Sequence, residues 1–163
     1  MDRPCPCGSR RSFAACCGPY LGGRASVPTA EALMRSRYTA YCEGAADYLL
    51  QTHRGAGRTA ADRDVLRRSI AGTEWVNLLI LDTQKGRETD TTGIVEFVAA
   101  LRPKASLLHP GPIATEQMHE RSRFVRDNGR WLYADGDQLA PHRTRRNEAC
   151  WCGSGRKTKQ CHS

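Results

Sequence analysis

The stretch Gln117-Met-His-Glu-Arg-Ser-Arg-Phe-Val-Arg-Asp-Asn-Gly-Arg-Trp-Leu-Tyr133 reads as two strands joined by a tight turn. Asn128-Gly129 is a dipeptide that two-residue hairpins favour, because both central residues take positive φ there. A period of two puts His119, Arg121 and Arg123 on one face of the first strand and Glu120 and Ser122 on the other. Upstream, Trp75 to Leu81 and Ile94 to Leu101 are rich in branched and aromatic residues, and Lys85-Gly86 marks a turn between them. Glu96 stands between Val95 and Phe97 in the second of these strands. Residues 103–115 contain Pro103, Pro110 and Pro112 and read as loop.

Helical signals precede the strands. Thr29 is the expected N-cap of a helix with Glu31 in its first turn. Leu33, Met34, Tyr38, Tyr41, Cys42, Ala45, Tyr48 and Leu49 recur every three or four residues and form one apolar stripe. Cys42 lies inside that stripe and reads as a small buried hydrophobe. Gly55-Ala-Gly57 breaks the chain. Thr59 to Asp62 resembles a capping box, Val65, Leu66, Ser69 and Ile70 continue as a second stripe, and Gly72 ends it. Two helices followed by an antiparallel meander make an α+β fold.

Seven of the eight cysteines fall into one frame that occurs at both ends. The first copy is Cys5, Cys7, Cys16 and Cys17, and the second is Cys150, Cys152, Cys161 and His162. Gly-Ser follows the second cysteine in each copy (Gly8-Ser9 and Gly153-Ser154), and basic residues come next. Four thiolate or imidazole ligands are the inventory of a closed tetrahedral zinc site. The swap of His162 for a cysteine suits a metal and not a disulfide, because imidazole cannot pair with sulfur. No apolar leader precedes the first frame, so a disulfide-permissive secreted setting is not expected. Two structural Zn(II) ions per chain are expected, with no open catalytic position.

The spacing C-x-C-x8-C-[CH] with Gly-Ser resembles the SEC-C motif, and CWCGSGRKTKQCH is the closer copy. CPCGSRRSFAACC has Arg10 where the second glycine stands. That motif ends the tail of the Sec translocase motor protein, where it binds zinc and docks on an export chaperone. Together with LMRSRYTAY and HERSRFVRDNGRWLYADG, the first copy resembles the YchJ-like family of bacterial proteins. The resemblance implies an NTF2-like cone, a curved sheet over the N-terminal helix, and no established activity. The expected organisation is a zinc segment at 1–20, a middle domain at 21–142 and a zinc segment at 143–163.

Lys plus Arg is 25 against 17 for Asp plus Glu, a formal net charge of +8. Arg143, Arg145, Arg146, Arg156, Lys157 and Lys159 concentrate that excess in the tail. Such a tail suits an acidic protein surface, a nucleic acid or anionic lipid; the alternative is a solvated basic face. No apolar run is long enough to span a bilayer.

The leading expectation is a cytoplasmic, non-enzymatic adaptor that docks a partner through Arg156, Lys157, Lys159 and Trp151. The partner would be an export chaperone or a ribosome-associated factor. Nucleic-acid binding is the second reading, with Trp151 stacking a base. A pocket enzyme or small-ligand binder using Arg37, Glu96, His119 and Arg121 is the third, and it requires a carboxylate–histidine contact inside a cavity. Phosphate loops, nucleophile elbows and the H-E-x-x-H pattern are absent from the sequence. His53, His109 and His142 carry no metal-ligand spacing. A homodimer through the sheet is expected by analogy of fold only.

Overall fold

Thr29 caps the helix around which the protein is built: its hydroxyl accepts from the Ala32 amide at 3.1 Å. The computed structural model describes residues 3–55, 59–104 and 114–162. Gly57 of the expected chain break, and His109, Pro110 and Pro112 of the expected loop, lie outside the described residues. The elements run α1 (Gly18–Leu21), α2 (Ala30–Glu43), α3 (Ala46–Gln51), α4 (Ala60–Ala71), β1 (Thr73–Lys85), β2 (Thr92–Pro103), β3 (Glu116–Asp127) and β4 (Arg130–Gln138). A 3-10 turn follows at Thr158–Gln160.

The stripe from Leu33 to Leu49 is not one helix. Gly44 adopts φ 72° and ends α2, and α3 starts two residues later at an angle that lets Ala46 and Leu49 form a second small core with Ala40 and Ile70. The capping box of α4 is complete: Asp62 accepts from the Thr59 amide at 3.1 Å while Thr59 accepts from the Asp62 amide at 3.2 Å.

The sheet is an antiparallel meander in the order β1-β2-β3-β4. Asn128 and Gly129 both have positive φ, 48° and 77°, as a type I′ turn requires. Register shifts in β1, and one between β3 and β4 after Arg123, mark bulges that bend the sheet. Its concave face carries Val95, Phe97, Ala99 and Phe124 against Leu33, Met34 and Tyr38 of α2. Leu33 is fully buried and Tyr38 is 2% exposed. Burial of each such side chain contributes about 1.5–3 kcal/mol, so Leu33→Ala is expected to cost about 2–5 kcal/mol. The Ala30 amide donates to Gly86 O at 2.9 Å and fixes the start of α2 on the β1–β2 turn.

The other face is covered too. Asn77, Ala100 and Gln117 stand in one row across β1, β2 and β3. Gln117 exchanges hydrogen bonds with the His142 backbone, and Asn77 Nδ2 donates to Trp151 O at 2.9 Å. The chain after β4 therefore crosses this face, and Ala100 and Val98 beneath it are fully buried. Among the described residues, no helix is long and apolar enough to cross a membrane.

Candidate metal centres

Each cysteine frame folds back on itself by the same set of backbone bonds. The Cys5 amide donates to Arg11 O at 2.9 Å, and the Cys150 amide donates to Arg156 O at 2.9 Å. Isolated antiparallel bridges, Pro4 with Ser12 and Ala149 with Lys157, extend the two turns equivalently. At the tip, Gly8 and Arg10 have φ of 73° and 62°, and Gly153 and Gly155 have 76° and 74°. The serine after the glycine does two jobs. Its hydroxyl accepts from the amide two residues on (Arg11 or Arg156, 3.3 Å each) and lies 3.2 Å from Cys16 Sγ or 3.3 Å from Cys161 Sγ.

These turns bring four ligands together at each end. Cys5, Cys7, Cys16 and Cys17 converge, as do Cys150, Cys152, Cys161 and His162, with the ligand atoms of each set within 4.8 Å of one another. None of the cysteines is in a disulfide. Sγ–Sγ separations are 3.6 Å for Cys7–Cys16, 3.8 Å for Cys16–Cys17 and 3.5 Å for Cys152–Cys161, and Cys150 Sγ is 3.1 Å from His162 Nδ1. A tetrahedron with metal–sulfur bonds of about 2.3 Å has edges of about 3.8 Å, so a metal fits and a covalent S–S bond does not. When bound, the metal supplies four-point cross-linking of a segment with little core of its own.

The thiols of each set differ in proton affinity. Cys7 is lowered to about 4, first because Cys17 donates to it and also because Ser9 does. Cys17 is correspondingly pushed far up by that donation and by burial. Burial raises Cys16 and brings Cys150 up to about 11. Burial opposes ionisation of Cys152, but hydrogen bonds from Ser154 and the neighbouring thiols outweigh it and lower the group. Each set therefore shares protons among its sulfurs, and a bound dication would take the place of those protons.

The two centres are seated differently. Cys5, Cys7 and Cys17 belong to the main core with Leu33, Met34 and Tyr38. Cys5 Sγ is 3.8 Å from Thr39 Oγ1, Arg35 donates to Cys7 O at 2.8 Å, and Arg3 forms a two-pronged bond to Glu43. The C-terminal centre rests on the opposite face of the sheet and is more open, with Cys161 half-buried and His162 exposed. Its outer side carries a groove of about 500 Å³ lined by His142, Arg143, Arg146, Trp151, Lys159 and His162. The Trp151 ring packs on His162 with centroids 4.8 Å apart. Arg156 and Lys157 are exposed on the same turn. Among the described residues, Arg143, Arg146, Arg156, Lys157 and Lys159 have no carboxylate partner, and only Arg145 of the tail pairs, with Glu148 at 3.9 Å. In the middle segment Arg35, Arg63, Arg67, Arg102, Arg121 and Arg123 have carboxylate partners, and the other described arginines there do not.

Glu96, His119 and Arg121 meet on the sheet's outer face. Glu96 Oε1 is 3.0 Å from His119 Nε2, and its Oε2 accepts from Arg121 Nη2 at 2.7 Å. The Arg121 bond is the main cause that holds the Glu96 carboxyl below its ordinary range. His119 Nδ1 is 2.6 Å from Ala140 O, so both ring nitrogens face acceptors and the ring latches the crossing segment to the sheet. Arg37 lies on the other side, under Tyr133, so the four residues do not line one cavity. Sequence reading gave no role to Asn77, the seat of the C-terminal turn, or to Glu120, which is 9% exposed and held by Ser122, Tyr133 and Gln138. The polar Glu120 and Ser122 facing a core were the available signal.

Residues 29–136 match the family described as YchJ, middle NTF2-like domain, and residues 4–19 and 146–163 each match the SEC-C motif. The solution structure of a SEC-C motif containing protein from Rhodopseudomonas palustris is 34% identical. It aligns with a TM-score of 0.69 over 85% of this chain and 100% of that chain. The crystal structure of a SEC-C motif containing protein from Psychrobacter arcticus shares the fold at 24% identity, with a TM-score of 0.64 over 98% of this chain and 94% of that one.

Proposed function

The chain belongs to the YchJ-like family with SEC-C motifs, and from that premise we propose that it is a cytoplasmic adaptor. In this reading two structural zinc ions hold its ends, and the basic face of the C-terminal centre docks an acidic partner protein. The observation that carries the reading is a cluster of unpaired cations on one short turn. Arg143, Arg146 and Lys159 line a groove with Trp151, Arg156 and Lys157 are exposed beside it, and among the described residues none of the five has a carboxylate within ion-pair distance. Unpaired cations around an aromatic are what an acidic peptide surface complements. The zinc would act as a rigid frame with no open coordination position, so no catalytic step is assigned to it. The outer face of the sheet is occupied by the chain's own C-terminal segment, and we therefore place the partner on the turn and not on a sheet-to-sheet dimer.

The test is affinity capture from native extract by wild type and by an Arg156→Glu, Lys157→Glu, Lys159→Glu variant of unchanged zinc content. Acidic proteins retained by wild type and lost by the variant support the reading; identical capture by both overturns it. Half-buried Trp151 beside cations favours one other occupant, a single-stranded nucleic acid. Binding of an oligonucleotide whose affinity falls steeply with salt would select that reading over a protein partner.

A further inference from the structure

Arg37 is a buried cation. It has 6% of its surface exposed. Nη1 donates to Leu49 O at 2.8 Å and Thr52 Oγ1 at 2.7 Å, and the guanidinium lies 4.9 Å from the centre of the Tyr133 ring. Among the described residues no carboxylate is within ion-pair distance. Glu120 stands beyond Tyr133, and its oxygens are already taken by Ser122 at 2.5 Å and Gln138 at 2.6 Å. Burial pulls the Arg37 pKa down, opposed by the surrounding Tyr41, Tyr133 and Tyr48 and by the more distant Glu120 carboxylate. An ion taken out of water this way is ordinarily paired.

The free part of the guanidinium has a definite shape. Nε and Nη2 have no protein acceptor among the described residues, and their N–H groups point the same way. That edge is the fork which takes a carboxylate through two parallel bonds. Arg102 uses the same edge in this protein, with Nε and Nη2 each donating to Glu74 at 2.8 Å. Arg37 reaches the wall of a pocket of about 410 Å³ between α2, α3 and α4, together with Tyr41, Leu49, Val65 and Leu66. The volume lies within the range of small-molecule sites. His53, Ser69 and Asp62 also line it, and the Asp62 carboxylate is engaged by the Thr59 amide and hydroxyl in the helix cap.

We propose that this pocket binds a small monocarboxylate with an apolar body, its carboxylate closing the Nε/Nη2 fork of Arg37 and its body lying against Tyr41, Leu49 and Leu66. With Asp62 already at the pocket and Glu120 acting on Arg37 from beyond Tyr133, a single negative charge is favoured over a phosphate dianion. The site is on the opposite side of the sheet from the C-terminal turn and is independent of partner docking.

The test is an NMR titration of the zinc-loaded full chain with acetate, hexanoate and phenylacetate, with phenylacetamide and inorganic phosphate as controls. Hexanoate and phenylacetate should move the Tyr41, Leu49 and Leu66 resonances, with phenylacetamide at least about tenfold weaker. Val65 is 59% exposed at this pocket, so Val65→Glu keeps the fold. The added charge should weaken phenylacetate about tenfold. Arg37→Lys keeps the charge without the fork and should also lose binding; if it does not fold, Val65→Glu decides alone. The proposal is overturned if no carboxylate moves these resonances. It is equally overturned if the amide or phosphate binds as well as phenylacetate, or if Val65→Glu binds like wild type.

Discussion

Gly153 lies against Asn77 so closely that a Cβ on the glycine would stand 2.8 Å from Asn77 Cβ and Cγ. Asn77 in turn donates to Trp151 O, and so grips the C-terminal turn on both sides of Cys152. The next residue of β1 serves the other centre: Gly8 approaches Leu78 O, with a Cβ there 3.3 Å away. Asn77 faces the outer side of the sheet with Ala100, and Leu78 the concave side with Ala99. The two metal centres are thus seated back to back on one edge strand.

Gly153→Ala should therefore dislodge the C-terminal centre. Its φ of 76° costs a residue with a side chain about 1–2 kcal/mol, and the overlap with Asn77 adds to that. The expected result is faster loss of one equivalent of zinc to a chelator, with the melting of the middle domain little changed. Asn77→Ala should act in the same direction but more weakly, by about 0.5–1.5 kcal/mol.

Arg10→Gly should stabilise the N-terminal centre. Arg10 occupies the left-handed position, φ 62°, that Gly155 fills in the other copy. Relief of about 1 kcal/mol is expected, since the left-handed cost is partly offset by the greater entropy of glycine in the unfolded chain. Thermal unfolding of the metal-loaded protein reads it directly; an unchanged or lower midpoint would speak against strain at this tip.

Metal removal should proceed in two separate steps. His162 is exposed and Cys161 half-buried, while Cys7 is fully buried and Cys17 is 1% exposed within the main core. The C-terminal ion should leave first and spare the sheet and helices. Loss of the second should coincide with global unfolding, because the emptied thiols would remain packed against Leu33, Met34 and Tyr38. Zinc release followed alongside far-UV circular dichroism would show this; simultaneous release of both ions without unfolding would contradict it.

Alkaline pH should destabilise the fold. Burial pushes Cys42, Tyr48 and Tyr133 each up to about 12 from ordinary values of 9.0 and 10.0. Their folded pKa values lie above the unfolded ones, so the neutral forms contribute fully below about pH 9 and the contribution is lost as pH rises toward 12. The melting temperature should fall across that window while zinc remains bound, because alkali deprotonates ligands and does not compete for them as acid does. Cys42 should resist alkylation in the folded protein over the same range.

Much of the fold was legible because its signals are local. Asn128-Gly129 demands a hairpin whatever surrounds it, and the Thr59–Asp62 box closes within one helical turn. The ligand sets were legible for the same reason, since each is confined to a short reversal. The break at Gly44 was also local, but the apolar spacing on either side of it outweighed one glycine in the reading of the stripe. Glu96 and His119 were expected as candidates to meet, and the register of β2 against β3 brings them together. Which face they share with the rest of the chain was not legible, because Ala140 and His142 cover them from a segment with no periodicity of its own. The grip of Asn77 on Trp151 spans 74 residues and left no trace in either stretch of sequence.

Zinc-edge X-ray absorption on protein purified without added metal addresses the ligand sets most directly. Two zinc ions per chain are predicted, with first shells that together contain seven sulfurs and one imidazole nitrogen and zinc–sulfur distances of about 2.3 Å. Fewer than two ions, a shell dominated by oxygen, or sulfurs bonded to one another would contradict it.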